Sequence, residues 1–145
     1  MFKTYFPKKN DVQEKWHIVD ADGVVLGRLA SQVAAVLRGK NNPLFTPYHD
    51  MKEFVIIVNA EKVRLTGKKS EIKTYFSHSG YLGHEKTTSL RELLEKHPER
   101  IIEKSVKGML PKNSLGREMF RKLRVYAGPE HPHKAQQPVE LKVEG

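Results

Sequence analysis

The run VVLGRLASQVAAVLRGK repeats its apolar residues at helical spacing. At roughly 100° per residue, Leu29, Ala30, Val33, Ala34, Val36 and Leu37 share one broad face. Arg28, Ser31, Gln32, Ala35 and Arg38 take the other, and Gly39 stands where a helix stops. The apolar face is too wide for a coiled coil and suits packing on a sheet. Phe54 to Val58, FVIIV, follows a different rule: consecutive apolar residues, mostly β-branched, predict a strand buried on both faces, the mark of a parallel sheet.

Weaker patterns fill in the rest. WHIVDADG predicts a short strand entering an Asp22-Gly23 turn, and IKTYFSH a second-rank strand before a loop over Ser77 to His84. Ser89-Leu90-Arg91-Glu92 has capping-box spacing and opens a helix through Lys96. Pro98 starts another, with Ile101, Ile102, Val106 and Met109 near one face. GMLPKNSLG breaks it, LGREMFRKLR forms a further helix, and LRVY a short strand before the irregular AGPEHPHKAQQP. Strand, helix, strand, strand, helices, strand is the order of an α/β layered domain. One domain is expected over residues 1–145, with an N-terminal extension over 1–15 and an extended tail over 127–145.

Composition narrows the chemistry. The 145 residues include no cysteine, so neither a disulfide framework nor a thiolate metal site is available. No apolar run approaches the length of a bilayer span, and a cytoplasmic protein is expected. Lys plus Arg is 26 against 17 Asp plus Glu, a net +9, which for a small domain implies a polyanionic partner. The positive charge is clustered. Arg28, Arg38 and Lys40 share a stretch without acids, Lys62 to Lys73 holds five cations against Glu71, and Ser105 to Lys134 holds seven against Glu118 and Glu130.

Catalytic motifs are missing. GKKS at Gly67 to Ser70 lacks the P-loop's earlier glycine, since Lys62 occupies that position, and DGVVLGRLA lacks the dinucleotide GxGxxG. No GxSxG elbow or HExxH helix occurs. His131 and His133, beside Glu130, leave three readings open: metal ligands, an exposed loop, or a nucleic-acid contact. The absence of further ligands and the flanking prolines disfavour the first.

The binding signal is stronger. In LGREMFRKLR, Leu115, Met119 and Leu123 line one side and Arg117, Arg121 and Arg124 the other, with Lys122 between them. Guanidiniums so presented can fork onto phosphate oxygens. KGMLPKN adds Lys107 and Lys112 around a glycine–proline break. TGKKSEIKTYFSHSGY interleaves Lys68, Lys69 and Lys73 with Tyr75 and His78, a mixture suited to structured or unpaired RNA. Core packing is the competing reading for Tyr75 and Phe76.

Several stretches together resemble the L-thirteen family of large-subunit ribosomal proteins. They are W-x-x-x-DA-x-G-x-x-LGRLA (Trp16 to Ala30), LRGK (Leu37 to Lys40), VIIVNAEKV-x-LTGKK (Val55 to Lys69), K-x-Y-x-x-HSGY (Lys73 to Tyr81), HPERIIEKSVKGMLPKN-x-LGR (His97 to Arg117) and LRVYAGPEHPHKAQQP (Leu123 to Pro138). They run in family order along nearly the whole chain, and the EHPH-x-AQ-x-P ending is that of the bacterial form. Two departures stand out: Lys52-Glu53 where similar proteins often have Gly-Asp, and Leu82-Gly83-His84 where they often have Pro-Gly-Gly.

The resemblance implies a three-layer α/β/α domain around a mainly parallel sheet. It implies a structural constituent of the 50S subunit, present in the ribosome, binding 23S ribosomal RNA and neighbouring ribosomal proteins, and acting early in assembly. No cofactor, metal, membrane, small-molecule substrate or homo-oligomer is expected. The RNA-contacting set expected from charge and resemblance is Arg28, Arg38, Lys40, Lys68, Lys69, Lys73, Tyr75, His78, Lys107, Lys112, Arg117, Arg121, Lys122, Arg124, His131, His133 and Lys134. The alternative reading is a nucleotide- or phosphate-handling α/β enzyme.

Overall fold

A computed structural model describes residues 5–8 and 11–143. Parts of the expected N-terminal extension (residues 1–4, 9 and 10) and the last two tail residues lie outside it. The elements are β1 Lys15–Asp20, α1 Leu26–Arg38, β2 Glu53–Val58, α2 Lys69–Ile72, β3 Thr74–His78, β4 Glu85–Ser89, α3 Leu90–Lys96, α4 Pro98–Met109, α5 Ser114–Arg121, β5 Leu123–Val125 and β6 Val139–Glu140. Short 3₁₀ turns lie at Ala60–Lys62 and Lys134–Gln136.

The central sheet has the order β5-β2-β1-β6, with every pairing parallel. Pairing sets Val19 beside Ile57 and Trp16 beside Phe54, on opposite faces. As the apolar run of β2 requires, Val55, Ile56 and Ile57 are fully buried. On the Val19 face lies the main core: Leu29, Val33 and Leu37 of α1 with Ile101, Ile102 and Val106 of α4. Each such residue contributes on the order of 1.5–3 kcal/mol by leaving water. The other face is covered differently. Trp16 stacks on Phe54 with ring centroids 4.3 Å apart, and His133 of the tail stacks on Trp16 at 5.4 Å.

Local sequence explains the element ends. Gly39 takes the left-handed conformation (φ 79°) that closes α1, and a Cβ there would overlap the buried Met51 side chain. The Ser89 hydroxyl accepts from the Glu92 amide at 3.2 Å, and the Asn113 carboxamide accepts from the Gly116 amide at 2.8 Å, capping α3 and α5. The amides of Asn59, Ala60 and Glu61 donate to the carbonyls of Gly128, Tyr126 and Ala127, which ties the start of the tail to the turn after β2.

The α/β class and parallel sheet are as expected, but four local expectations change. IKTYFSH does form a strand, yet not in the central sheet: β3 pairs antiparallel with β4 as a separate hairpin. The polar EKTTS of β4 carried no strand signal, because neither face of this hairpin is buried along its length. Met109 is 49% exposed rather than on the buried face of α4. The LGREMFRKLR helix ends at Arg121, so Arg124 belongs to β5. The tail is not wholly irregular either, since Val139 and Glu140 pair with His17 and Ile18 as an edge strand.

One of the two departures noted above, Lys52, falls at a strained position. Its φ is 51°, a left-handed backbone that glycine adopts freely and an L side chain adopts at a cost of about 1–2 kcal/mol. Lys52→Gly is expected to raise stability by up to about 1 kcal/mol, the remainder being offset by the greater freedom of glycine in the unfolded chain. A urea midpoint below that of the wild type would contradict this. The neighbouring Glu53 is buried, accepting from His17 Nε2 at 2.7 Å and more weakly from Asn42 Nδ2 at 3.4 Å.

Candidate nucleic-acid interface

The rotation of α4 is set by its apolar side. With Ile101, Ile102 and Val106 in the core, Lys104, Lys107 and Gly108 must face outward. Leu110 to Asn113 then reverse the chain. In α5, Gly116 and Met119 are buried, so Arg117 and Arg121, four residues apart, project together. The two helices enclose a cleft of about 660 Å³ whose cations are Lys104, Lys107, Lys112, Arg117 and Arg121.

A second cleft, of about 230 Å³, lies on the other flank of α4. Ser105 and Met109 form its α4 wall, and Arg64, Lys69 and Lys73 supply its charge. Arg64 also borders a third, with Arg28 at the start of α1, and Lys68 joins Lys69 and Lys73 around the Thr66-Gly67 turn. Among the described residues, no aspartate or glutamate lines any of these clefts. Thus α4 is a ridge between two basic depressions.

Tyr75 sits between the groups. Lys104 Nζ lies 4.7 Å and Lys73 Nζ 5.3 Å from its ring centroid, distances at which the π-face attracts a cation. The ring is half-buried against the core, its hydroxyl has no hydrogen-bond partner among the described residues, and burial pushes its pKa up. Packing, the competing reading, therefore accounts for much of Tyr75, while Phe76 is 60% exposed. His78 is exposed where β3 runs into the hairpin turn.

Not all of the expected residues converge here. Arg38 and Lys40 stand at the far end of α1, where roughly 15 Å of helix separates Arg38 from Arg28. Lys122 is a correction: it is buried, pairs with Asp50, and lies 5.7 Å from the Phe54 ring centroid. Its ammonium is not on the basic surface. Arg124 leaves the arginine stripe of α5 because it is on β5, paired in register with Ile56.

On that side of the sheet Arg124 acts electrostatically on His133. The Tyr126 hydroxyl meets His133 Nε2 at 2.8 Å, and the His133 amide donates to His131 Nδ1 at 3.3 Å. Lys134 follows, exposed, in the 3₁₀ turn. His133 is thus a packing residue that fastens the tail to Trp16. Among the described residues no group of three or more histidines and acids is placed to hold a metal ion.

Burial, then the charges of Arg124 and His131, lower the His133 pKa from its ordinary value of 6.5. The folded state therefore favours the neutral imidazole. Its stabilising contribution is complete above pH 6.5 and declines as pH falls through the depressed folded pKa. Trp16, the single tryptophan, reports on this directly. Its fluorescence is expected to titrate with a midpoint below 6.5, and the transition to vanish in His133→Gln. A midpoint above 6.5 would contradict the packed arrangement.

Two residues of the basic face, Lys104 and Arg64, escaped the sequence reading. The first was legible, lying three positions before Lys107 opposite Ile101, Ile102 and Val106. Arg64 gave no such signal, because a bridge between residues 25 and 64 brings it to the start of α1.

The family model described as "Ribosomal protein L13" matches residues 14–132. A "Large ribosomal subunit protein uL13" from Pelodictyon phaeoclathratiforme is 61% identical over 142 residues, covering 98% of this chain and 95% of that protein. Proteins of the same name from Symbiobacterium thermophilum and Gemmatimonas aurantiaca are 57% and 59% identical. The former match covers 99% of this chain and all of the relative, the latter 96% and 94%. A family model matching residues 14–132 and relatives of this identity along nearly the whole chain mean that the chain belongs to the ribosomal protein L13 family.

Proposed function

We propose that the chain is a structural component of the large ribosomal subunit that binds 23S ribosomal RNA through the basic face on either side of α4. It joins the particle early in assembly, in the cytoplasm, beside neighbouring ribosomal proteins, as a single domain without self-association. The observation that carries this reading is the acid-free set of clefts flanking α4 in a member of a ribosomal protein family. The family is one of ribosomal structural proteins and not of enzymes, so the nucleotide-handling alternative is set aside.

The mechanism is electrostatic and geometric. Lysines and arginines displace counterions from phosphates, and the forked guanidiniums of Arg117 and Arg121 fix orientation. Because α4 is anchored by three buried aliphatic residues, its cations cannot rotate inward, and RNA segments in the two clefts are held at a fixed separation. Full-length protein is expected to co-sediment with large-subunit precursors lacking it. Its log affinity should fall linearly with log salt, by about 0.7–0.9 per phosphate contacted. Salt-independent or absent co-sedimentation would sink the proposal.

A further inference from the structure

Gly108 stands one residue before the end of α4, with ordinary right-handed backbone, and a Cβ built on it meets no atom within 4 Å. Glycine weakens a helix relative to alanine, and no neighbouring atom in the fold requires one here. Gly116, across the same cleft, is different: a Cβ there would overlap the Pro111 carbonyl oxygen, so packing demands glycine. The space beside Gly108 is the cleft itself.

That cleft has two chemical parts. Its lining carries the five cations described above, with Lys107 Nζ 5.6 Å from the Phe120 ring centroid, while Leu110, Pro111 and Phe120 supply apolar surface. Phosphate binds the first part and gains nothing from the second. At about 660 Å³ the cleft falls within the roughly 300–1,000 Å³ range of small-molecule sites. A flat apolar group flanked by phosphates matches both parts. Unpaired bases are splayed out of RNA and stacked on aromatic rings or guanidinium planes, whereas a paired base stays within its duplex.

We infer that the cleft between α4 and α5 takes one unpaired nucleobase turned out of an RNA strand, with Gly108 leaving the room it occupies. The inference rests on the RNA-binding reading above and adds to it the class of RNA recognised. The lining cations hold the phosphates on either side of the extruded nucleotide.

The test uses the full chain and two RNA hairpins that differ only by a single bulged 2-aminopurine. Wild-type protein is expected to bind the bulged hairpin at least about fivefold more tightly and to change the fluorescence of the bulged base. Gly108→Leu fills the space while keeping every charge. It should lose the preference, binding the two hairpins equally, and melt no lower than wild type. Gly108→Ala, a smaller change, supplies a second variant with a reduced preference. Equal wild-type affinity for the two hairpins, or a preference undiminished in both folded variants, overturns the inference and leaves RNA binding standing. Failure to bind either hairpin would bring down the RNA-binding reading as well.

Discussion

Replacing Lys112, Arg117 and Arg121 together by alanine is expected to leave the fold intact and to cut RNA affinity by at least about tenfold near physiological salt. All three side chains are exposed on the wall of one acid-free cleft, so their removal strips no buried partner. The diagnostic quantity is the salt slope. Each lost phosphate contact removes about 0.7–0.9 from it, and the triple variant should lose about two to three. Arg91→Ala with Lys96→Ala, which removes two cations elsewhere, is the control, compared per charge removed. These cations lie on α3 and already face Glu95 and Glu92 four residues away. Exposed pairs of this kind contribute little to stability and leave little charge for a distant phosphate. If the control lowers the slope as much per charge as the triple variant, binding depends on net charge and not on the α4–α5 cleft.

The second large effect concerns shape. Gly116→Ala is expected to destabilise the protein by about 1–3 kcal/mol, because its new methyl would overlap the Pro111 carbonyl oxygen and lie 2.8 Å from the carbonyl carbon. Both obstacles are backbone, so no rotamer change relieves them. Either α5 moves off the turn or the turn opens, and both disturb the wall carrying Lys112 and Arg117. Gly108→Ala, on the facing helix, should raise stability by up to about 1 kcal/mol, since it meets nothing and favours the helix. Urea denaturation of the two alanine variants separates a glycine required by packing from one that is not. Equal midpoints would show that Gly116 has no such close neighbour.

Legibility in the sequence followed burial. FVIIV and the apolar stripe of α1 announced a parallel sheet and its covering helix because their periodicities differ and both are buried. Ser89 and Pro98 marked helix starts through local hydrogen-bond and backbone chemistry that needs no tertiary context. The β3–β4 hairpin was half legible, since Tyr75 and Phe76 favour a strand while EKTTS does not, and its partner strand is chosen by proximity. Lys122 misled because a lysine between two arginines reads as surface, whereas its burial depends on Asp50, far away in sequence. The contacts of His131 and His133, expected on RNA, were hidden for a similar reason. Trp16 and Tyr126, the neighbours of His133, are set by how the tail crosses the sheet, and His131 packs on His133. The basic clefts were legible as charge but not as two depressions flanking one ridge.

The edge position of β6 bears on how the chain is made. Among the described residues, His17 and Ile18 in β1 find their outer neighbours in Val139 and Glu140. Synthesis proceeds from the N-terminus at roughly 5–20 residues per second, so β1 waits on the order of ten seconds for that partner to be polymerised. During this interval its outer edge presents unpaired amides and carbonyls, a template for pairing with another nascent strand. A product terminated before Pro138 would keep that edge open permanently and would lack the hydrogen bond from the Leu141 amide to the Ile18 carbonyl. The outer side of β1 at His17 and Ile18 is therefore covered only once residues 139 to 141 have been made, and a product lacking them is expected to be more prone to edge-to-edge aggregation.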